Sequence, residues 1–454
     1  MKPPLRIAAL IASATAALAL ASPALASGGG GGGGGGSGSG GSTSTATPDL
    51  SKDTELAGEV LVKLRSGDAI GAVLQRYSLS MVSRFGARPI FRLKVIGAAR
   101  VKDVIAAMAT DPDVMLAEPN ATNRSPEARG NNAWAIGTPS GFVTQWAPQA
   151  LHLAQAQMRT RGAGVRVAVL DTGVDFNHPL LAGRLLPGHD FVDGDNDPSE
   201  VLGPRQASYG HGTHVAGLIV MIAPEARILP LRVLDTDGVG NAWVLAEALL
   251  YALDPDGNPD TDDGAHVINL SLGSMARTRL MDTVAQIAGC APAVADDPIA
   301  DRSDPGYADD ERRCARGHGA VVVAAAGNDA SGSVKEYPAA EGAYGLLSVA
   351  ASTASNHVAG FSNFGPWVDM AAPGEGITSA LPGGLYGVWS GTSMAAPMAA
   401  GTAALVRSLD LSLAPKDVVD RLKRTAAVLC TTNLRQVDAQ AAVANLVPPS
   451  SSCR

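Results

Sequence analysis

The sequence predicts an α/β protein: a doubly wound parallel sheet with helices on both faces, preceded by a small α+β, ferredoxin-like unit. Two observations carry this. From Trp146 onward, continuous apolar runs such as Val165–Leu170 and Val321–Ala326 alternate with stretches of helical spacing, the pattern of strands covered on both faces. Between Asp53 and Thr122 the runs instead alternate apolar and polar residues around two short helical stretches, a split βαβ pattern. The chain of 454 residues is long enough for two or three domains. Aromatic residues make up only 4% while Ala and Gly abound, which suits helices packed closely on a sheet.

Met1 to Ala26 has the form of a cleavable export signal: basic Lys2 and Arg6, an apolar stretch Ile7–Ala21, and small residues at Ala24-Leu25-Ala26. Its roughly 15 apolar residues are short for a membrane anchor, the competing reading. Ser27–Thr47 is glycine and serine, including the run Gly28–Gly36; residues 27–52 form a flexible tether. In residues 53–122, Glu59–Leu64 and Phe91–Ile96 read as strands, Asp68–Tyr77 and Val101–Ala109 as helices, and Val114–Ala117 as a last short strand before Glu118-Pro119-Asn120. Residues 123–144 are polar and rich in Pro and Gly, an exposed linker open to proteolytic nicking. The remaining 145–454 form the α/β domain. Its strands are Val165–Leu170, Ile228–Leu234, His266–Leu272, Val321–Ala326 and Leu346–Ala350; its helices include His211–Ile222 and Asn241–Ala252. Ser393–Val406 is apolar nearly all round and reads as a buried helix, with Pro397 near its start.

A net charge of -8 with scattered Lys and Arg argues against a nucleic-acid partner. No segment after the signal is apolar enough to span a membrane, so an exported chain, extracellular or periplasmic, is expected. The four cysteines, Cys290, Cys314, Cys430 and Cys453, have no zinc-site spacing. In an exported chain they favour disulfides, with Cys290–Cys314 and Cys430–Cys453 the pairs of shortest loop; four buried thiols are the alternative.

Three stretches carry chemistry: Val167-Ala168-Val169-Leu170-Asp171-Thr172-Gly173, His211-Gly212-Thr213-His214-Val215-Ala216-Gly217, and Gly391-Thr392-Ser393-Met394-Ala395-Ala396-Pro397. A serine at a helix start would by itself be a capping residue. Together with the other two stretches, in the order Asp, His, Ser, it resembles the subtilisin-like serine peptidases, the subtilase family, over roughly Trp146 to Asn445. The resemblance implies a triad: Ser393 as nucleophile, His211 as its base, Asp171 fixing the imidazole. It implies Asn328, in Ala325-Ala326-Gly327-Asn328, as the oxyanion-hole side chain, with the Ser393 amide as second donor. Ser271-Leu272-Gly273 would be the substrate-binding edge, and Ala325, Ala326 and Gly327 the other wall. Glu336, just before Tyr337-Pro338, would lie at the base of the pocket for the residue preceding the cut; the alternative is that it points to solvent or pairs with Lys335, Arg277 or Arg279. Core packing is the role expected of His214, and a structural one of His178. Asp175 is expected either beside the triad or as a solvated loop charge.

The same resemblance makes residues 53–122 an inhibitory propeptide, its tail Glu118–Thr122 lying in the cleft. The chain would then be a secreted, self-processing serine endopeptidase acting on polypeptides as a monomer. A non-enzymatic binding protein on the same scaffold, or a transpeptidase or macrocyclase using the same triad, are the alternatives. No cofactor is required for the chemistry. Structural calcium could sit at the acidic loop Asp193–Asp197, which is at least as readable as a solvated turn; Asp254–Asp263 is also acidic, but Gly257 falls in the wrong place for EF-hand spacing. Met275–Ala320 reads as a disulfide-tied surface excursion near the cleft.

Overall fold

The computed structural model describes residues 55–129, 135–201, 208–292, 306–430 and 432–448. The expected export signal and tether lie outside these residues, as does Cys453. No helix among the described residues is long and apolar enough to cross a membrane.

The central sheet of the described residues has nine strands in the order Ala427–Val428, Arg435–Gln436, Met370–Pro373, Leu346–Ser352, Val321–Ala325, Val267–Leu270, Arg166–Asp171, Arg227–Arg232, His189–Asp190. All neighbours are parallel except the first pair. The central strands are largely apolar because each face is covered. Val167, Val169, Val321 and Val323 point into one cluster with the helices His211–Ile222 and Thr392–Arg407. Their neighbours Ala168, Leu170, Val322 and Ala324 point into a second, with the helices Ala242–Leu253 and Arg279–Ala288. The period of two along each strand thus serves two cores, as the sequence predicts.

All sixteen residues of Thr392–Arg407 are buried. Pro397 lies in the helix interior rather than at its start. Having no amide, it cannot bond the carbonyl four residues back, that of Ser393. The Ser271 hydroxyl donates to that carbonyl instead, at 2.9 Å, which ties the serine helix to the neighbouring strand end.

The N-terminal unit is a sheet ordered Leu79–Arg84, Ile90–Val95, Glu55–Leu64, Val114–Arg124, extended by Val239–Asn241 of the larger domain. Its helices are Ile70–Arg76 and Val101–Met108. Strand Leu79–Arg84 carries mostly exposed side chains, so it has no alternation to announce it. Val114–Arg124 runs well past the expected end at Ala117. Pro119 interrupts the sequence pattern, and the register against Glu55–Leu64 shifts beside it. Beyond it, Thr122–Arg124 pairs antiparallel with Val239–Asn241. Phe85 packs edge-on against Trp243 at 5.4 Å, joining this unit to the second core.

Two further expectations change. Asn123 to Glu127 is buried rather than an exposed linker; further along, Ala135 and Ile136 are exposed. Helix Arg279–Ala288 sends Leu280, Met281, Val284, Ala285 and Ala288 into the core, so Met275–Ala320 is not simply a surface excursion. Cys290 and Cys314 are bonded, as expected. Cys430 is also disulfide-bonded.

Candidate active site

Parallel sheets gather their functional groups at the carboxyl ends of strands. Asp171 ends Arg166–Asp171, and Ser271 and Gly327 follow the ends of the next two strands. His211 opens its helix just after Gly210, and Ser393 sits in the first turn of its own.

Asp171 Oδ1 lies 2.7 Å from His211 Nδ1 and also accepts the Thr172 amide at 2.8 Å. That fixes the imidazole, whose Nε2 faces the serine helix. Ser393 Oγ and His211 Nε2 do not meet directly. Both donate to one oxygen, Oε2 of Glu127, at 2.5 and 3.1 Å. The other oxygen of Glu127 accepts Asn328 Nδ2 at 3.0 Å. Asn328 Oδ1 in turn accepts both the amide and the hydroxyl of Thr392, each at 2.9 Å. This assigns the Asn328 side chain: its oxygen is held by Thr392, so its NH2 points into the site. Gly391 leaves room for this carboxylate: a Cβ there would come 1.8 Å from Glu127 Oε1.

Burial works against a charged imidazole, but the carboxylates of Asp171 and Glu127 outweigh it and push His211 up to about 10. Burial likewise works against the Glu127 carboxylate, and the His211 and Ser393 hydrogen bonds overcome it, holding Glu127 below its ordinary value. The two therefore form a buried imidazolium–carboxylate pair. Burial pushes Glu200 up to about 8, with the Asp171 carboxylate adding to it. Glu200 accepts the Thr172 hydroxyl at 2.8 Å, beside the start of the His211 helix.

His214 is buried and stacked on Trp389 at 5.2 Å. Burial first, then the neighbouring His211, lowers it to about 3, so it is a neutral packing group. His178 binds the Leu385 carbonyl at 3.0 Å and accepts the Leu180 amide at 3.1 Å, a structural role. Asp175 braces the Gly383 amide at 2.8 Å.

The pocket residues also come together. Ser271 and Leu272 are fully buried, as are Ala325 and Ala326. Glu336 is fully buried and abuts Gly273 and Gly327. A Cβ on Gly273 would meet Glu336 Oε1 at 2.4 Å, so only glycine admits the carboxylate there. Arg277, a candidate partner for Glu336 from the sequence, engages Glu341 and Asp282 instead.

The edge strand is occupied. Arg124 pairs antiparallel with Gly273, with N–H···O distances of 2.8 and 2.9 Å. The Ser125 amide donates to the Gly238 carbonyl at 3.3 Å. The cleft is thus filled by Asn123–Glu127, not by Glu118–Thr122 as the sequence suggests. Glu118 serves elsewhere, accepting the amides of Arg279 and Leu280 at the start of their helix.

Of the two acidic loops, Asp193–Asp197 does not fit a cation. The guanidinium of Arg232 engages both Asp190 and Asp193. Asp195 and Asp197 turn oxygens onto the loop itself. Asp254, Asp256 and Asp263 bring carboxylate oxygens within 4.8 Å of one another, and Asp254 Oδ1 is a buried oxygen with no hydrogen bond. This set suits a hard cation.

Three residues of the site escaped the sequence reading. Thr392 adjoins Ser393 within the motif and was legible there. Glu200 lies in an acidic loop with no pattern, and Glu127 in a stretch of loop composition.

Family models match both parts of the chain. Residues 162–446 match the family model described as the subtilase family, and residues 43–120 match that of the fervidolysin N-terminal prodomain. The chain is 32% identical over 394 residues to a thermophilic serine proteinase of Bacillus sp. (strain AK1), covering 82% of this chain and 85% of that protein. It is 38% identical to thermitase of Thermoactinomyces vulgaris, over 58% of this chain and 82% of that one. The fold is similar to that of fervidolysin from Fervidobacterium pennivorans, with a TM-score of 0.68 at 23% identity, covering 87% of this chain and 62% of that one.

Proposed function

The chain belongs to the subtilase family and is a serine-type peptidase with an N-terminal prodomain, and from that premise we propose that Asp171, His211 and Ser393 are its catalytic triad. The observation that carries this is the convergence of Ser393 Oγ and His211 Nε2 on a single oxygen position, with Asp171 bound to the far side of the ring. A substrate carbonyl entering there would meet the nucleophile, the base and the Asn328 donor together.

In the proposed reaction, His211 takes the proton of Ser393 as Oγ attacks the carbonyl carbon. The Asp171 carboxylate stabilises the imidazolium that forms. The carbonyl oxygen, now an anion, is held by Asn328 Nδ2 and the Ser393 amide. His211 returns its proton to the leaving amine, and water then repeats the sequence on the acyl-enzyme. No cofactor enters this chemistry. Structural calcium, where present, would be held by Asp254, Asp256 and Asp263.

We further propose that the protein is exported, with residues 1–26 as its signal, and is made as a zymogen. Residues 53–122 and the strand that continues them would be the inhibitory unit. The cut would fall within 123–144, and 145–454 would be the catalytic domain, acting as a monomer on polypeptides. At the pocket base, the Glu336 carboxylate would favour Lys or Arg before the cut.

Reaction of the processed protein with a serine-directed fluorophosphonate tests the reading. Labelling at Ser393 is expected, and none in Ser393→Ala, which should also remain unprocessed. An unlabelled wild-type protein, or self-processing by purified Ser393→Ala, would refute it.

A further inference from the structure

The prodomain tail enters the cleft as a substrate would and then departs from a substrate's course. Asn123 and Arg124 run as a strand between Val239–Gly240 and Gly273. At Pro126 the main chain leaves that path in a 3-10 turn, Pro126–Arg129. What reaches Ser393 is a side chain. Glu127 Oε2 takes hydrogen bonds from Ser393 Oγ and His211 Nε2, and Oε1 takes one from Asn328 Nδ2.

Each of these donors has a task in the proposed reaction, and each is engaged by the same carboxylate. The serine proton points at Glu127 rather than at its base. The base carries a proton of its own and has no lone pair to offer. A carboxylate carbon is also a poor electrophile, since attack would place a second negative charge on the group. One oxygen on the Asn328 donor, the other between nucleophile and base, is how the acid product of hydrolysis would sit before release.

Building on the serine-peptidase reading, we propose that Glu127 is an autoinhibitory latch: its carboxylate mimics the product acid in the catalytic centre, so the uncleaved chain binds its own tail without being able to cut it there. Strand pairing by Asn123–Ser125 supplies the docking, and the ion pair with His211 supplies the silencing. Processing would then require Glu127 to leave the centre first.

The test uses the full-length chain, freshly folded and exposed briefly to the fluorophosphonate, with intact and processed forms separated by size. Intact wild type should label at least about tenfold more slowly than the processed form, in line with the cost of displacing a buried charge pair. Intact Glu127→Gln and Glu127→Ala should both label faster than intact wild type by a similar factor of roughly ten. Glu127→Asp, which keeps the charge but shortens the reach, should fall between and carries the test if the others fail to fold. Equal labelling of intact and processed wild type would overturn the latch. So would release by Ala but not by Gln, since the amide still fills the space. If the processed wild type does not label either, it is the peptidase reading that has failed.

Discussion

Thr392 holds Asn328 by two hydrogen bonds to one oxygen, from its amide and from its hydroxyl, each 2.9 Å long. The Thr392 hydroxyl itself accepts the Gly327 amide at 3.1 Å. The proposed oxyanion donor is thus set by the residue next to the proposed nucleophile. Removing the hydroxyl in Thr392→Val should lower kcat several-fold with little change in KM, the effect of about 1 kcal/mol from one hydrogen bond. Thr392→Ser should restore it. Asn328→Leu should cost roughly 10²–10³ in kcat, the magnitude known for the equivalent donor of subtilisin, a member of this family. A change confined to KM would argue against the assignment.

Glu200 gives a stability signature with a definite sign. Its folded-state value, about 8, lies above the ordinary 4.5. Between those values the folded chain keeps a proton that the unfolded chain loses, so stability falls as pH rises from 4.5 to 8 and then levels off. In Glu200→Gln this contribution disappears. The Tm difference, variant minus wild type, should therefore grow across that window, as measured by calorimetry on chains inactivated by Ser393→Ala. A difference independent of pH would show that Glu200 does not titrate there.

Specificity should move with Glu336. An opposite charge about 4 Å away is worth roughly 4 kcal/mol at an effective dielectric near 20, before desolvation is subtracted. Even a quarter of that changes preference several-fold. The ratio of kcat/KM for peptides with Lys or Phe before the cut should fall by that order in Glu336→Gln. An unchanged ratio would mean that Glu336 supports Gly273 without reading the substrate.

The Cys290–Cys314 bond spans 24 residues of sequence. Closing a loop of that size in the unfolded chain is worth about 3 kcal/mol. The double variant Cys290→Ser, Cys314→Ser should lose stability of that order and keep its kcat, because neither sulfur approaches Ser393 in the hydrogen-bond network of the site. Loss of activity at full stability would point to a role in the cleft.

The sequence by itself determined the two-sided sheet and pointed to the residues of the proposed triad. Apolar runs such as Val165–Leu170 and Val321–Ala326 require cover on both faces. Asp171, His211 and Ser393 were legible because each sits in a local stretch whose small residues and glycines serve the same turn or helix start as the functional group. Asn328 was legible for the same reason, and the Cys290–Cys314 pair because a short loop favours it.

What only the tertiary structure decided depends on contacts between segments distant in the chain. Pro119 marks an end to the strand in a local reading, yet Val114–Arg124 continues because Val239–Asn241 offers it a partner. Pro397 reads as a helix start, but the orphaned Ser393 carbonyl finds the Ser271 hydroxyl and the helix carries on. Asp193–Asp197 has the composition of a cation loop, and Arg232 from another strand supplies the charge. Glu127 lies among residues of loop composition, and nothing within that stretch ties it to Ser393, 266 residues away. Its place follows from the strand before it, which fits the cleft edge, and from donors of three separate segments that together favour a carboxylate. Such a site is defined by convergence in space, which local propensity and periodicity do not encode.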